Sequence, residues 1–397
     1  MEHLFEKYLR KLDHVSLTFQ RDLLRDIDWN DRLIGIKGAR GAGKTTLLLQ
    51  HIHINRLPQN SQTLYASLDD LYFTRNNLVS LVDQFVKEGG KYLLLDEVHR
   101  YANWSQELKN IYDDHAGLKI IFTGSSLIHL EKAKADLSRR AVMYELFGLS
   151  FREFINFTKK TSLNKVSLDD LLSDHIDLSR NITKQIRPLS FLKEYLQIGY
   201  YPFFIENKST YFQKLNETIS LALSSDLPSA FGLNFGSVEK IRLLLYILAE
   251  SVPFKPNISK LSERVGISRN SLLEFLKYLE EMRISRLLYA STKGIGLLQK
   301  PEKIYLYHPN LHYALSPQNS DKGNIRESFF LSQMSPVTPL VYTAEGDFKS
   351  GKYTFEIGGK TKGRAQIKSV KDSFIASDDI EIGKDNKIPL WLFGFLY

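Results

Sequence analysis

The chain has 397 residues, more than one ordinary core accommodates, which points to two or three domains. Its apolar share of 43% and charged share of 25% fit a soluble globular protein, no apolar run reaches the roughly 18 residues of a membrane span, and the charged N-terminus lacks the apolar core of a signal peptide, so a cytoplasmic location is the simplest expectation. The absence of cysteine excludes disulfides and thiolate metal sites, and a net charge of +8 is too mild for the footprint of a strongly DNA-bound protein.

In chain order, the first informative segment is DRLIGIKG, which reads as a short buried strand with Leu33, Ile34 and Ile36 inward. GARGAGKT follows, from Gly38 to Thr45, and KTTLLLQHIHI reads as the next helix. Strand, glycine loop and helix form the context that a G-x-x-x-x-G-K-[ST] phosphate loop requires. Gly38, Gly41 and Gly43 allow backbone conformations that a Cβ would block, so successive N–H groups turn toward phosphate oxygens at a helix N-terminus. The expected nucleotide-binding residues are Gly38, Arg40, Gly41, Ala42, Gly43, Lys44, Thr45 and Thr46. Lys44 would reach the outer phosphates, and the Thr45 hydroxyl would ligate Mg²⁺. The bland alternative is a glycine-rich turn with no ligand.

KYLLLDEVHR lies 52 residues beyond Lys44, counted to Asp96, with room between them for one more strand, TLYASLDD. Leu93, Leu94 and Leu95 form a continuous apolar run that suits the interior of a parallel sheet. The run ends in Asp96-Glu97, where open α/β sheets bind ligands. Asp96 is the expected Mg²⁺ residue, and Glu97 the residue that polarises the attacking water. A third strand, LKIIFTGSS, offers Thr123 and Ser125 for sensing phosphate or orienting water; capping the next helix is an equal alternative for each.

Together GIKGARGAGKT, YLLLDEVHR, IIFTGSS and RRAVMYELFGLSFREF resemble the bacterial and archaeal AAA-type ATPases that pair a P-loop core with a C-terminal domain of unknown function. The resemblance covers residues 15–160 best and continues through LQIGYYPFF. It implies ATP and Mg²⁺ as ligands, and a water-activating glutamate at Glu97. It also marks Arg40, either as a phosphate contact or as a brace against Asp69 or Asp70. Arg140 precedes the last core strand, AVMYELF, where an arginine would stabilise transition-state charge in cis or across a subunit contact. The family shows Gly-Arg at this point and this chain has Arg139-Arg140, so a solvated charge pair is the alternative.

Residues 1–155 are thus expected to form the ATPase core and 156–250 a helical lid or connector. Residues 251–308 read as a winged helix-turn-helix, with Leu272, Phe275, Leu276, Leu279 and Met282 on one helix face. That helix balances Arg269, Lys277 and Arg283 against Glu274, Glu280 and Glu281, which suits a packing or protein-binding module better than DNA. Residues 309–397 resemble a restriction-endonuclease-like core, with Glu327, Asp347 and Glu356 as matching carboxylates. The active pattern Glu-x-Lys is replaced by EIGGK, which leaves Lys360 about 13 Å from Glu356 on a regular strand and favours an inactive fold. The expected fold class is α/β: a P-loop parallel sheet with helical lid, winged helix-turn-helix and small α/β C-terminal domain. The expected function is Mg-ATP binding with slow hydrolysis, as a switch or motor and with oligomerisation open. The alternatives are a nucleotide-dependent scaffold for DNA or a protein, and an ATP-regulated nuclease.

Overall fold

Five short strands organise the N-terminal part of the chain: β1 (Leu33–Lys37), β2 (Thr63–Ser67), β3 (Tyr92–Asp96), β4 (Lys119–Gly124) and β5 (Val142–Glu145). They pair in the order β2-β3-β4-β1-β5, all in parallel. The computed structural model describes residues 1–124, 137, 139–250, 255–290, 300–318 and 321–397. Its contacts divide the chain into two units, Met1–Phe147 and Gly148–Tyr397.

In the first unit β1, β3 and β4 are apolar on both faces because helices cover both, while β5 is a partly exposed edge. Leu64, Leu93, Leu95, Ile120 and Phe122 face one way, against Leu81 and Phe85 of the helix Leu78–Lys87 and Leu108 of the helix Trp104–Asp114. Ile34, Ile36, Leu94 and Ile121 face the other way, against Leu47 and Leu48 of the helix Lys44–Ile54. Each fully buried leucine or isoleucine contributes about 1.5–3 kcal/mol. The chain leaves β1 toward β2 on one side and β4 toward β5 on the other, so the C-terminal ends of β1, β3 and β4 border a crevice where the strand order reverses. The helix Glu2–Asp13 packs on β2, burying Leu4, Tyr8 and Leu12 at helical spacing.

The second unit opens with the helix Phe151–Lys159, started by a capping box in which Ser150 and Glu153 exchange hydrogen bonds. This helix straddles the expected boundary at residue 155, yet it packs with the C-terminal segment Leu390–Phe395 inside the second unit. Long helices follow, among them Leu168–Thr183, Pro188–Ile198, Tyr211–Leu221 and Phe235–Glu250. The helices Ile258–Val265 and Arg269–Glu281 are joined at Gly266, whose φ of 71° ends the first of them in the left-handed region. The antiparallel pair β6 (Ser285–Leu288) and β7 (Lys303–Leu306) comes next. Leu272, Phe275, Leu276 and Leu279 are buried as the spacing predicts, while Met282 is half-buried.

The C-terminal sheet has the order β11-β10-β9-β8, with β8 (Phe348–Ser350), β9 (Tyr353–Gly358), β10 (Ser373–Ser377) and β11 (Lys387–Pro389). β8 runs antiparallel to β9, and β9, β10 and β11 are parallel. Phe330 of the helix Lys322–Met334 packs against Phe348, Phe355 and Phe393 beside this sheet. Among the described residues no helix is long and apolar enough to cross a membrane.

Candidate active site

The phosphate loop runs from the end of β1 into the helix Lys44–Ile54. Gly41 and Gly43 have φ of 83° and 97°, a region that L side chains rarely enter. Gly38 is constrained differently from the sequence expectation. Its φ is not positive, and a Cβ there would instead lie 2.3 Å from the Leu146 carbonyl oxygen just past β5. Ala42 is buried, and its carbonyl accepts from the Arg21 guanidinium at 3.1 Å. Arg21 also donates to the Phe147 carbonyl at 2.9 Å, so one side chain spans the loop and the chain leaving β5. Thr46 is exposed on the first turn of the helix.

Lys44 is buried, and its ammonium donates to the carbonyls of Gly38 at 3.0 Å and Ala39 at 3.1 Å. The lysine is folded across its own loop, a position from which its donors can be handed to phosphate oxygens. The helix N-terminus beside it supplies further N–H groups and a favourable dipole for an anion.

Asp96 ends β3 and is only 2% exposed. Its Oδ2 accepts from the Thr45 hydroxyl at 2.6 Å and from the Tyr65 phenol at 2.8 Å. Its Oδ1 accepts from the Thr123 hydroxyl and from the Glu97 N–H at 3.1 Å. Thr123 stands on central β4, beside β3, which explains its reach. Burial, and then the neighbouring Asp96, push the Tyr65 phenol well above its ordinary range, so it stays a donor. Thr45 and Asp96 therefore bring a hydroxyl and a carboxylate to one point, the hard oxygen set that suits Mg²⁺.

Glu97 has φ 53° and ψ 38°, which turns it out of line with β3. Its Oε2 lies 3.4 Å from His99 Nε2. Arg40, Thr45, Asp69, Asp96, Glu97 and Arg100 line one cavity of about 420 Å³. Lys11, from the N-terminal helix, lines it too and donates to Tyr65 at 3.3 Å. Of the two carboxylates considered as braces for Arg40, Asp70 pairs with Lys7 at 2.6 Å, whereas Asp69 shares the Arg40 cavity. Ser125 lies outside the described residues.

Arg140 does not approach this cavity within its own chain. It precedes β5, whose pairing sets Val142 beside Ile34, at the start of β1 and away from the loop. Its guanidinium makes a bidentate pair with Asp113, both contacts 2.9 Å, on the surface. Within its own chain Arg140 is thus held by Asp113 and not at the cavity. Sequence reasoning missed Arg21, Tyr65, Lys11 and Arg100. Arg100 alone left a signal, four residues beyond Asp96 in YLLLDEVHR.

The C-terminal carboxylates also converge. Lys303 of β7 reaches Glu327 at 3.3 Å and Asp347 at 3.1 Å, and Lys362 pairs with Glu356. Lys360 is not the lysine of this cluster; it is exposed, and its carbonyl accepts from Lys387 at 3.0 Å. Gly358 explains the exchange. A Cβ there would lie 2.6 Å from Lys362 Cβ and Cγ, so the missing side chain is what lets Lys362 run back to Glu356.

Residues 30–155 match the model of an AAA domain family, and residues 190–322 match that of a domain of unknown function. An uncharacterized protein of Methanocaldococcus jannaschii is 26% identical over 312 residues, which are 76% of this chain and 65% of that relative. The chain thus spans less than two thirds of the length of that curated relative. Among solved structures, a Walker-type ATPase of Pyrococcus abyssi aligns with 78% of this chain and 95% of its own at 14% identity and a TM-score of 0.42. The Orc1 protein of Aeropyrum pernix, solved in complex with DNA, aligns with 82% and 91% at 13% identity and a TM-score of 0.31. The AAA-domain match falls on the five-stranded parallel sheet and the glycine loop at its crevice: residues 30–155 are similar to an AAA domain with a P-loop fold, and residues 190–322 are similar to a domain of unknown function.

Proposed function

We propose that the first unit binds Mg-ATP and hydrolyses it slowly, and that this cycle serves as a switch or motor for the second unit. The observation that carries the reading is the Asp96–Glu97 pair at the end of β3, with Asp96 bonded to Thr45 of the phosphate loop. Thr45 and Asp96 would hold Mg²⁺, which when bound neutralises charge on the β- and γ-phosphate oxygens. Lys44 exchanges its two carbonyl partners for phosphate oxygens. Glu97 takes a proton from water as the water oxygen bonds to the γ-phosphorus and the bond to the bridging oxygen breaks, giving ADP and phosphate. Arg140, paired with Asp113 in its own chain, would serve the site of a neighbouring copy. A protein partner fits the helix Arg269–Glu281 better than DNA, because its two cations, Arg269 and Lys277, are outnumbered by Glu274, Glu280 and Glu281, with Glu280 spent on the Leu287 N–H at 2.9 Å.

The test separates binding from chemistry. Lys44→Ala should abolish tight ATP binding, because it removes a ground-state phosphate contact. Glu97→Gln should keep binding and lose about 10²–10⁴-fold in turnover, the range for a general base. Wild-type hydrolysis by Glu97→Gln would sink the assignment.

A further inference from the structure

The second unit holds a convergence of charge that the ATPase reading does not use. Glu327 lies on the helix Lys322–Met334, Asp347 just ahead of β8 and Glu356 on β9. Carboxylates gathered out of water repel one another and require a cation. In this unit the chain provides one itself. Lys303 Nζ lies 3.3 Å from Glu327 Oε2 and 3.1 Å from Asp347 Oδ1, and its side chain is only 10% exposed. Tyr305, two residues along the same strand and therefore on the same face, donates to Glu327 at 2.6 Å. The other Asp347 oxygen accepts the Ile357 N–H at 2.9 Å, and Lys362 covers Glu356. Burial opposes the Lys303 charge, but Glu327 and Asp347 outweigh it and raise its pKa, so the ammonium persists.

We infer that Lys303 is a built-in counter-ion: its ammonium stands between Glu327 and Asp347 where a divalent cation would otherwise sit, and closes this centre to metal. The reading is independent of the ATPase assignment. The Lys303 ammonium donates to Glu327 Oε2 and Asp347 Oδ1, so it occupies oxygens that a divalent ion would need as ligands. The centre then works as a lock that ties β7 to the helix Lys322–Met334 and to the β8–β9 hairpin.

The test is a Mn²⁺ titration of the nucleotide-free full-length chain, with free Mn²⁺ followed by electron paramagnetic resonance and melting recorded in parallel. Wild type and Asp347→Asn should bind Mn²⁺ indistinguishably. Lys303→Met should gain one site per chain, which Lys303→Met/Asp347→Asn should lose. Its melting midpoint should fall by roughly 10 °C, as expected for breaking a buried pair, and Mn²⁺ should recover part of the fall. An Asp347-dependent site in wild type, or no new site in Lys303→Met, overturns the inference. If Lys303→Met does not fold, Lys303→Met/Glu327→Gln, which removes one charge of each sign, should fold; an insoluble pair variant overturns the inference as well.

Discussion

The two units solve the same electrostatic problem in opposite ways. Asp96 in the first unit is satisfied by hydroxyls and a backbone N–H from Thr45, Tyr65, Thr123 and Glu97. Such donors are neutral and can turn aside, so a cation can still enter. Glu327 and Asp347 in the second unit are satisfied by the charged Lys303 ammonium, which donates to both. Lysine also appears in the first unit, where Lys44 donates to the carbonyls of Gly38 and Ala39. Whether buried carboxylates can receive a ligand thus depends less on their number than on the charge of the donors already bonded to them.

The comparison can be pressed hardest at Arg140. If the first unit draws part of its positive charge from a neighbouring copy, ATPase activity per subunit should rise with protein concentration. Arg140→Ala should then flatten that rise, with a loss of about 10²-fold or more at the top of the curve and unchanged ATP affinity. A rate independent of concentration in a monomeric protein would remove the trans role. Loop geometry comes next. Gly38→Ala sets a methyl against the Leu146 carbonyl and should destabilise the first unit by about 1–3 kcal/mol and weaken ATP binding, read by melting and nucleotide titration. Unchanged values would mean the loop yields where it is described as tight. The smallest effect, and the sharpest contrast, uses two tyrosines that each donate to a carboxylate. Tyr65→Phe should change the Mg²⁺ dependence of ATP turnover by a few-fold, the scale of one hydrogen bond of about 0.5–1.5 kcal/mol. Tyr305→Phe should lower only the melting midpoint. Equal effects of both on turnover would erase the distinction between the clusters.

The candidate phosphate site, where the structure brings Thr45 to Asp96, was legible in the sequence because its parts are local. Eight consecutive residues make the loop, and two adjacent carboxylates end one apolar strand. Their meeting required only that β1 and β3 lie in one parallel sheet, which their continuous apolar runs indicated. Gly38 shows the limit of this reading, since its constraint comes from Leu146, more than a hundred residues away in the chain. Tyr65 was hidden for a similar reason: one tyrosine in an apolar strand gives no sign of which carboxylate its hydroxyl will meet. The C-terminal cluster was half legible. Its three carboxylates stand out in the sequence, but fixed strand spacing places the lysine on β9. Lys303 arrives from another strand, 24 residues before Glu327 and 44 before Asp347. Lys362 arrives by a turn that the glycines of EIGGK permit. Strand periodicity carries information about neither.

The backbone of Glu97 has a consequence beyond its carboxylate. A glutamate at φ 53° sits in a left-handed conformation that burdens a residue with a Cβ by about 1–2 kcal/mol, and glycine would occupy it without that burden. With Glu97 in its proposed role as the base for water, folding stability and turnover pull in opposite directions at this position. Selection for a sturdier chain alone would replace the glutamate, and only a continuing demand for hydrolysis would keep it. A descendant that kept the phosphate loop but relaxed this residue would become a more robust nucleotide holder, with its clock stopped.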